Sequence, residues 1–273
     1  MAIASVEAIA AFAGPDLLPY ATMRMQEDHW RQRLFVAEGE KVVRRLLESS
    51  LEVLSVLLPA RWLPDFRPLI EARPEAIRVF TADKKLLEGL TGFSMYQGLL
   101  AVGRIPAPIT IRQAVEGSPA PRLFVAVDGL TQAENLGALV RNCVAFGTQA
   151  ILVGETSGHP YLRRAVRASM ATIFQLPVIE TDSLAGALHE LRAAGVRCLA
   201  AHPHTDRRIL SQAAFTGDCC VVFGSEGHGL SPRVLAACDE AVAIPMPPQV
   251  DSLNVSAAAA VFLYEARRQR GLA

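Results

Sequence analysis

The chain has 273 residues, 51% of them hydrophobic and 20% charged, and its 27 basic side chains balance 27 acidic ones. This composition excludes a disordered or collagen-like chain, and the length predicts two domains. No apolar run approaches the roughly 18–20 residues of a membrane span, and the first 23 residues lack the lysine or arginine that begins a signal peptide. The five cysteines, odd in number and in or beside apolar segments, predict reduced thiols. We expect a soluble cytoplasmic protein without a metal site.

Short strand-like and helix-like stretches alternate along the first 105 residues. Residues 1–20 are rich in alanine and contain Gly14-Pro15, so we expect a loosely attached extension. Apolar runs predict strands at residues 34–37, 51–58, 77–80 and 99–104. Residues 21–105 are therefore predicted to form a small α/β domain. The stretch 106–120, which is rich in proline, is the predicted linker.

The second half, residues 121–273, alternates apolar runs and helix-like stretches regularly. Strands are predicted at residues 123–127, 150–153, 176–179, 197–201, 219–223 and 241–244. Helices are predicted at residues 136–146, 162–170, 183–194 and 253–270. This alternation is typical of an α/β domain in which helices cover a parallel sheet and ligands bind beyond the carboxyl ends of the strands.

A polar segment follows the first of these predicted strands. Asn135 and Gly137 open the next helix, whose backbone N–H groups could hold an anion, and Arg141 follows six residues after Asn135. Taken alone, the segment also fits a capped helix with an arginine that reaches solvent.

A second segment, which begins at Gly224, has three glycines in six residues between a predicted strand and a Ser-Pro helix start. Glycine permits tight turns and the close approach of a bound molecule. Neither a phosphate-binding loop with Gly-Lys-Ser/Thr nor the dinucleotide fingerprint Gly-x-Gly-x-x-Gly is present. His228 has no triad or metal spacing and is interpreted as a loop residue. A purely structural turn would explain this segment equally well.

A third segment runs from Ile244 to Ser256 and continues into the alanines at residues 257–260. Taken alone, Ser252 or Asn254 could simply be the N-cap of the last helix, with no functional role. The four small side chains would let another element lie very close to that helix.

Together, the three segments resemble the motifs of the SpoU (TrmH-type) RNA ribose 2′-O-methyltransferases, which belong to the SPOUT class. The resemblance covers roughly residues 121–273. The motifs that carry it are, in order, Asn135-x-Gly-x-x-x-Arg141, Gly224-x-Glu226-Gly-x-Gly229-Leu, Ile244-Pro-Met and Ser252-Leu-Asn254-Val-Ser. The chain departs from the family pattern at Ser225, where asparagine is common, and at residues 132–134, where Asp-Pro is frequent.

The first half is similar to the L30e-like RNA-binding domain that often precedes this catalytic domain. The similarity is carried by Phe35-Val-Ala-Glu38-Gly39-Glu40-Lys41 and Gln97-Gly98-Leu-Leu-Ala.

The resemblance implies a fold that periodicity alone would not suggest. It is an α/β-knot domain whose C-terminal segment is threaded into a deep trefoil knot, a topology almost absent from proteins. In the family the knot forms the pocket for S-adenosylmethionine and packs in a homodimer. By position, Gly224, Gly229, Ile244 and Leu253 would bind this methyl donor.

The implied reaction is methyl transfer from the donor's sulfonium to a ribose 2′-oxygen. Family precedent places Arg141 beside the reacting hydroxyl, as a base or as a ligand of an RNA phosphate. An arginine pKa above roughly 12 favours the phosphate role. Asn135, Glu226, Ser252 and Asn254 would organise that arginine and the nucleotide.

The expected partner is RNA and not DNA, because only RNA carries the 2′-hydroxyl. The first domain resembles those of rRNA enzymes, which favours 23S rRNA over tRNA as the substrate. Arg163, Arg164 and Arg167 along one predicted helix are candidate RNA-binding residues, or else a solvated helix face. A catalytically silent RNA-binding or ribosome-assembly protein is an alternative, although it would not need all five motif residues. Another nucleotide-binding enzyme would require the missing glycine fingerprint.

Overall fold

The computed structural model describes residues 3–23, 25–91, 98–203 and 208–271. Contacts between residues divide the chain into two compact units. The first combines Met1–Ala107 with Tyr161–Phe174, and the second combines Pro108–Pro160 with Gln175–Ala273. The division near residue 107 lies at the start of the predicted linker. Gln97, part of the resemblance to L30e-like domains, lies outside the described residues.

The elements alternate along the chain much as the apolar runs do. The strands are β1 (Ile3–Ala8), β2 (Leu34–Glu38), β3 (Val53–Leu58), β4 (Ile77–Thr81), β5 (Leu100–Arg104), β6 (Leu123–Val127), β7 (Ala150–Val153), β8 (Val178–Glu180), β9 (Arg197–Ala201), β10 (Cys219–Phe223) and β11 (Glu240–Val242). The helices are α1 (Leu18–Ala21), α2 (Gln26–Arg31), α3 (Glu40–Leu47), α4 (Leu63–Glu71), α5 (Lys84–Thr91), α6 (Ile111–Gly117), α7 (Ala133–Ala145), α8 (Arg163–Ala168), α9 (Leu184–Ala193), α10 (Pro232–Ala237) and α11 (Val255–Gln269). In the described part of the chain, no helix has the length and apolar character to cross a bilayer.

The first unit is built on a five-stranded sheet in the order β1-β4-β3-β5-β2. Strand β5 is antiparallel to β2 and β3, while β4 runs parallel to β1 and β3. Residues 1–20, expected to be a loose extension, instead belong to this unit. Strand β1 pairs with β4, and Tyr20 is fully buried with its hydroxyl 2.8 Å from Ser55 Oγ. The side chains of β1 are almost all exposed. The strand therefore lacks the buried apolar residues from which it could have been predicted.

A short segment from the second half of the sequence completes the first unit. The Tyr161 and Phe174 rings lie 5.1 and 5.4 Å from the Phe35 ring, centroid to centroid. Helix α8, between them, buries Ala165 and Val166. The predicted domain boundaries placed this helix in the domain of residues 121–273. The prediction was wrong because the sequence pattern of a helix does not show which of two hydrophobic cores the helix packs against.

The second unit is an α/β layer structure around a six-stranded sheet in the order β11-β9-β10-β6-β7-β8, with every neighbouring pair parallel. This confirms the predicted α/β class with a parallel sheet. Strands β6 and β10 are continuous apolar runs because both faces of the sheet are covered, and all their side chains are buried. Chain order reverses between β6 and β10, the position at which such sheets bind ligands.

The expected linker, residues 106–120, contains helix α6. Thr110 and Gln113 form a capping box at its N-terminus. Ile111 and Ala114 are buried in the core of the second unit. Most of the stretch is therefore part of the second unit and not a linker. Its helix has only seven residues and lies among prolines, so its apolar pattern was too short to predict that it packs in a core.

All five cysteines are free, and four of them are buried. Burial raises the pKa of the Cys143 thiol to about 12 and that of Cys219 to about 11. These thiols are therefore neutral core side chains at physiological pH, in agreement with their apolar sequence context.

Candidate active site

The loop after β10 is a tight turn that requires glycine at two positions. Ser225 and Gly229 exchange backbone hydrogen bonds of 3.0 and 2.9 Å. Gly229 has a φ of +66°, and a Cβ atom on Gly224 would overlap the backbone of Gly229 and Leu230. Substitution at Gly224 would therefore force the turn open.

The carboxyl ends of β6 and β10 are tied together by Asp128, a buried residue directly after β6. Its backbone N–H donates to the Phe223 carbonyl at 2.9 Å, and its Oδ2 atom accepts from the Ser231 N–H at 2.7 Å. The polar segments after these two strands are thus held side by side at the point where strand order reverses.

One polar cluster joins all three motif segments. The Asn135 Nδ2 atom, in the first turn of α7, donates to Glu226 Oε1 at 2.6 Å. The Asn254 Nδ2 atom donates to the same oxygen at 2.8 Å and to Asn135 Oδ1 at 3.2 Å. Asn254 is also the N-cap of α11, with its Oδ1 atom accepting from the Ser256 N–H at 3.0 Å. The helix cap therefore fixes the amide that meets the carboxylate.

A cavity of about 450 Å³ lies beside this cluster, at the carboxyl ends of β9, β10 and β11. It is lined by every residue predicted to bind the donor, together with two residues of the predicted catalytic set: Gly224, Gly229, Ile244, Leu253, Glu226 and Ser252. The volume lies within the range of small-molecule sites, and the walls combine apolar side chains with a few polar groups. The structure therefore brings together residues far apart in sequence around one cavity.

Arg141 is not among the residues that line this cavity. It is exposed on α7, and the described contacts give it neither a hydrogen bond nor an ion pair. Because Arg141 follows Asn135 by six residues, the two side chains lie on different faces of the helix. The neighbouring Asn142 donates to the Ser256 carbonyl at 2.6 Å, which fixes α7 against the start of α11. Arg141 thus remains available to a ligand outside the cavity, and its role stays a prediction.

The candidate RNA-binding arginines belong to α8 in the first unit. Arg163 pairs with the buried Glu38, and Arg167 Nη1 lies 2.7 Å from the other oxygen of that carboxylate. The Arg163 side chain is only 11% exposed, so its charge neutralises Glu38 and has little surface for a phosphate. Arg164 and Arg167 are exposed, and their contact with RNA stays a prediction.

Two histidines line the cavity: His202 directly after β9, which sequence reasoning missed, and His228 in the β10 loop, which it interpreted only as a loop residue. The available signal was a polar residue at the carboxyl end of a strand, the same signal that identified the three motifs. Phe262 and Asp251 also line the cavity. Across the described residues, no group of three or more histidine, cysteine or acidic side chains could hold a metal ion.

Comparison with known proteins gives matches over most of the chain. The model of the SpoU rRNA Methylase family matches residues 122–264, which include all three motifs. The 23S rRNA (guanosine-2′-O-)-methyltransferase RlmB of Ralstonia nicotianae is 31% identical over 213 residues, 78% of this chain and 84% of that protein.

Two solved structures share the architecture. A crystal structure of an RNA 2′-O ribose methyltransferase is 28% identical with a TM-score of 0.78, and the match covers 98% of this chain and 100% of that one. The SpoU methyltransferase AviRb from Streptomyces viridochromogenes, solved in complex with the cofactor AdoMet, has a TM-score of 0.82 at 23% identity. That match covers 94% of this chain and 98% of the other, and shows a shared fold.

Proposed function

Because the chain belongs to the SpoU rRNA methylase family, we propose that it transfers a methyl group from S-adenosylmethionine to a ribose 2′-oxygen of 23S rRNA. Membership confirms the resemblance predicted from the three motifs. The observation that carries the proposal is the cluster of Asn135, Glu226 and Asn254 beside the cavity, since two amides from different motifs donate to one carboxylate oxygen of the third.

The cavity fits the methyl donor. Gly224 lets the turn after β10 close on itself along the cavity wall, and Ile244, Leu253 and Phe262 offer apolar surface to an adenine ring. When bound, S-adenosylmethionine supplies a methyl group already activated by its sulfonium. The residues of this chain therefore have to position the acceptor and accommodate the loss of its proton.

Arg141 holds the RNA phosphate next to the target ribose, because a guanidinium that stays protonated binds phosphate well and accepts a proton poorly. Glu226 fixes the two asparagine amides that orient the nucleotide. As the 2′-oxygen bonds to the methyl carbon, the carbon–sulfur bond breaks, its electron pair stays on sulfur, and the hydroxyl proton leaves to solvent.

The finer features of the fold are proposed on the same basis. The C-terminal segment forms the family's trefoil knot, supported by Ile244, Met246 and residues 251–253 lining the cavity next to the loop after β10. The first unit is an L30e-like domain that recognises RNA, supported by its small α/β architecture. The five free cysteines support a cytoplasmic, reducing location.

A homodimer is also proposed, formed through the knotted unit. Helix α11 exposes Val261 and Tyr264, three residues apart and thus on one side of the helix. These two side chains form an apolar patch that a second copy of the chain would cover.

Transfer of labelled methyl groups from S-adenosylmethionine to transcripts of 23S rRNA, 16S rRNA and tRNA tests the proposal. We expect label in 23S rRNA at a single linkage that resists alkali, as a 2′-O-methyl group does. Label confined to tRNA would instead establish the tRNA enzyme. Absence of label from every RNA, assembling ribosomal particles included, would favour the silent RNA-binding protein.

A further inference from the structure

The amide groups of the polar cluster are oriented by Glu226, because a carboxylate accepts hydrogen bonds and donates none. The atoms of Asn135 and Asn254 that meet Glu226 Oε1 are therefore their Nδ2 atoms. Asn135 Nδ2 gives its second N–H to Gln132 Oε1 at 2.9 Å, and Asn254 Nδ2 gives its second to Asn135 Oδ1 at 3.2 Å. Both asparagines thus use their side-chain N–H groups within the chain.

Gln132 carries the amide donor that this cluster leaves over. Its Oε1 atom accepts from Asn135, so the orientation of the amide is fixed and its Nε2 atom points elsewhere. The described contacts give Nε2 no partner, and the residue is exposed. Gln132 is also not among the described residues that line the donor cavity. A molecule that meets its two N–H groups therefore approaches from outside that cavity, as an RNA acceptor would.

The stability of helix α7 does not explain a glutamine at this position. Gln132 is the N-cap of the helix, yet its side chain makes no capping hydrogen bond. The residues favoured at an N-cap are serine, threonine, aspartate and asparagine. Gln132 also lies at one of the two places where the chain departs from the family pattern. A residue that gives up a helix cap for a contact in the cluster points to a functional role.

Resting on the proposed function, we propose that Gln132 binds the target nucleotide and donates through Nε2 to an uncharged oxygen of its ribose or its base. A phosphate is disfavoured at this place because carboxylates are close. Glu226 accepts from the same Asn135 atom as Gln132 does, and Glu134 lies in the first turn of α7. The phosphate is left to Arg141. Asn135 then orients the nucleotide through Gln132, whose amide it holds in place.

Two substitutions separate this contact from simple support of Asn135. Gln132→Met keeps the length of the side chain and removes its polar atoms, whereas Gln132→Glu keeps an oxygen for Asn135 and removes the N–H groups. We expect each to lower the single-turnover rate of methyl transfer to the RNA that the wild type methylates by about tenfold, the effect of about one hydrogen bond. Both should bind S-adenosylhomocysteine with wild-type affinity. Gln32→Met, at an exposed glutamine that ends α2, is the matched control and should react as the wild type does.

The base at the methylated position distinguishes the two kinds of oxygen. If Gln132→Met lowers the rate by the same factor for every base placed there, the contact is with the ribose. If the substitution instead narrows the differences in rate between bases, the contact is with a base oxygen.

The inference is overturned if Gln132→Glu reacts as fast as the wild type, because Gln132 would then only support Asn135. Weaker binding of S-adenosylhomocysteine by both variants would indicate a collapsed cluster and would also overturn it. A loss that is confined to Gln132→Glu and disappears at higher salt would assign the effect to the added charge, with the same consequence. A wild type that methylates no RNA would overturn the proposed function itself, and this inference with it.

Discussion

At the scale of single residues, Glu226 is the shared acceptor of two amides from distant parts of the chain. Glu226→Ala removes that acceptor and lets Asn135 and Asn254 separate. A small misplacement of reacting groups lowers a reaction rate by about 100-fold. We therefore expect the rate of single-turnover methyl transfer to fall by about that factor. Glu226 is exposed, so the melting temperature should hardly change.

Glu116→Ala on α6 is the matched control, since Glu116 is also exposed and pairs with Arg112 four residues earlier. It should keep wild-type turnover. A Glu226→Ala enzyme as fast as this control would show that the cluster has no part in the reaction.

The cluster illustrates what the sequence allowed us to predict at this scale. Asn135, Glu226 and Asn254 were predicted as one set with Ser252 and Arg141, because the three segments resemble the SpoU motifs. The placement of Arg141 away from the cavity was not predicted, since the direction of a side chain depends on the packing of α7 against α11. Glu38 is the opposite case. Its partners come from a helix more than 120 residues later, and no local pattern links them.

At the scale of elements, the C-terminal end of α11 is fixed by one arginine. The Arg270 guanidinium donates to the carbonyls of Pro121, Arg122, Phe215 and Gly217, each at 2.8 Å. Arg270→Ala leaves these acceptors without their charged donor, and we expect it to lower the free energy of unfolding by about 2–3 kcal/mol. Urea denaturation of the purified protein measures this change.

Arg270→Lys should restore only part of the lost stability, because an ammonium cannot reproduce the planar fork of a guanidinium. The control is Arg268→Ala, whose exposed side chain pairs with Glu265 of the same helix and should leave stability unchanged. Equal effects of Arg268→Ala and Arg270→Ala would contradict the anchoring role of Arg270.

The elements most faithfully predicted are the continuous apolar strands. Residues 123–127 and 219–223 match β6 and β10 residue for residue. Strands buried on both faces are apolar throughout, so the ends of the apolar run mark the ends of the strand. Strand β1 was missed for the converse reason. Its stabilising contacts are backbone hydrogen bonds to β4, which do not restrict the type of side chain.

At the scale of the whole molecule, each compact unit combines segments that are distant in the chain. Glu38 on β2 is bound by Arg163 and Arg167, which belong to the segment that returns to the first unit. Glu38→Gln leaves the charge of Arg163, whose side chain is mostly shielded from solvent, without its carboxylate, so we expect a loss of about 3–5 kcal/mol in the free energy of unfolding. Chemical denaturation followed by circular dichroism measures the loss.

Glu52→Gln is the control for this substitution, because the Glu52–Arg104 pair is about half exposed and contributes less than about 1 kcal/mol. If Glu38→Gln lowers the free energy of unfolding no more than Glu52→Gln does, the segment Tyr161–Phe174 is held in the first unit by its apolar contacts alone.

The proposed homodimer predicts a change of molecular mass. Val261→Glu combined with Tyr264→Glu would place two charges in the apolar patch of α11, and burying them in an interface is costly. We expect sedimentation equilibrium to give a dimer for the wild type and a monomer for the double variant. His189→Glu on α9 should stay dimeric. A monomeric wild type would contradict the proposed assembly.

Arg141 tests the central claim most directly, because it is the exposed cation of the predicted catalytic set and has no hydrogen bond or ion pair among the described contacts. The measurement is methyl transfer to 23S rRNA at saturating S-adenosylmethionine by wild type, Arg141→Ala and Arg112→Ala, the last being exposed on α6. We predict that Arg141→Ala loses at least about 100-fold in turnover while binding S-adenosylhomocysteine normally, and that Arg112→Ala matches wild type. Wild-type turnover by Arg141→Ala would contradict the assignment of this arginine to the acceptor phosphate.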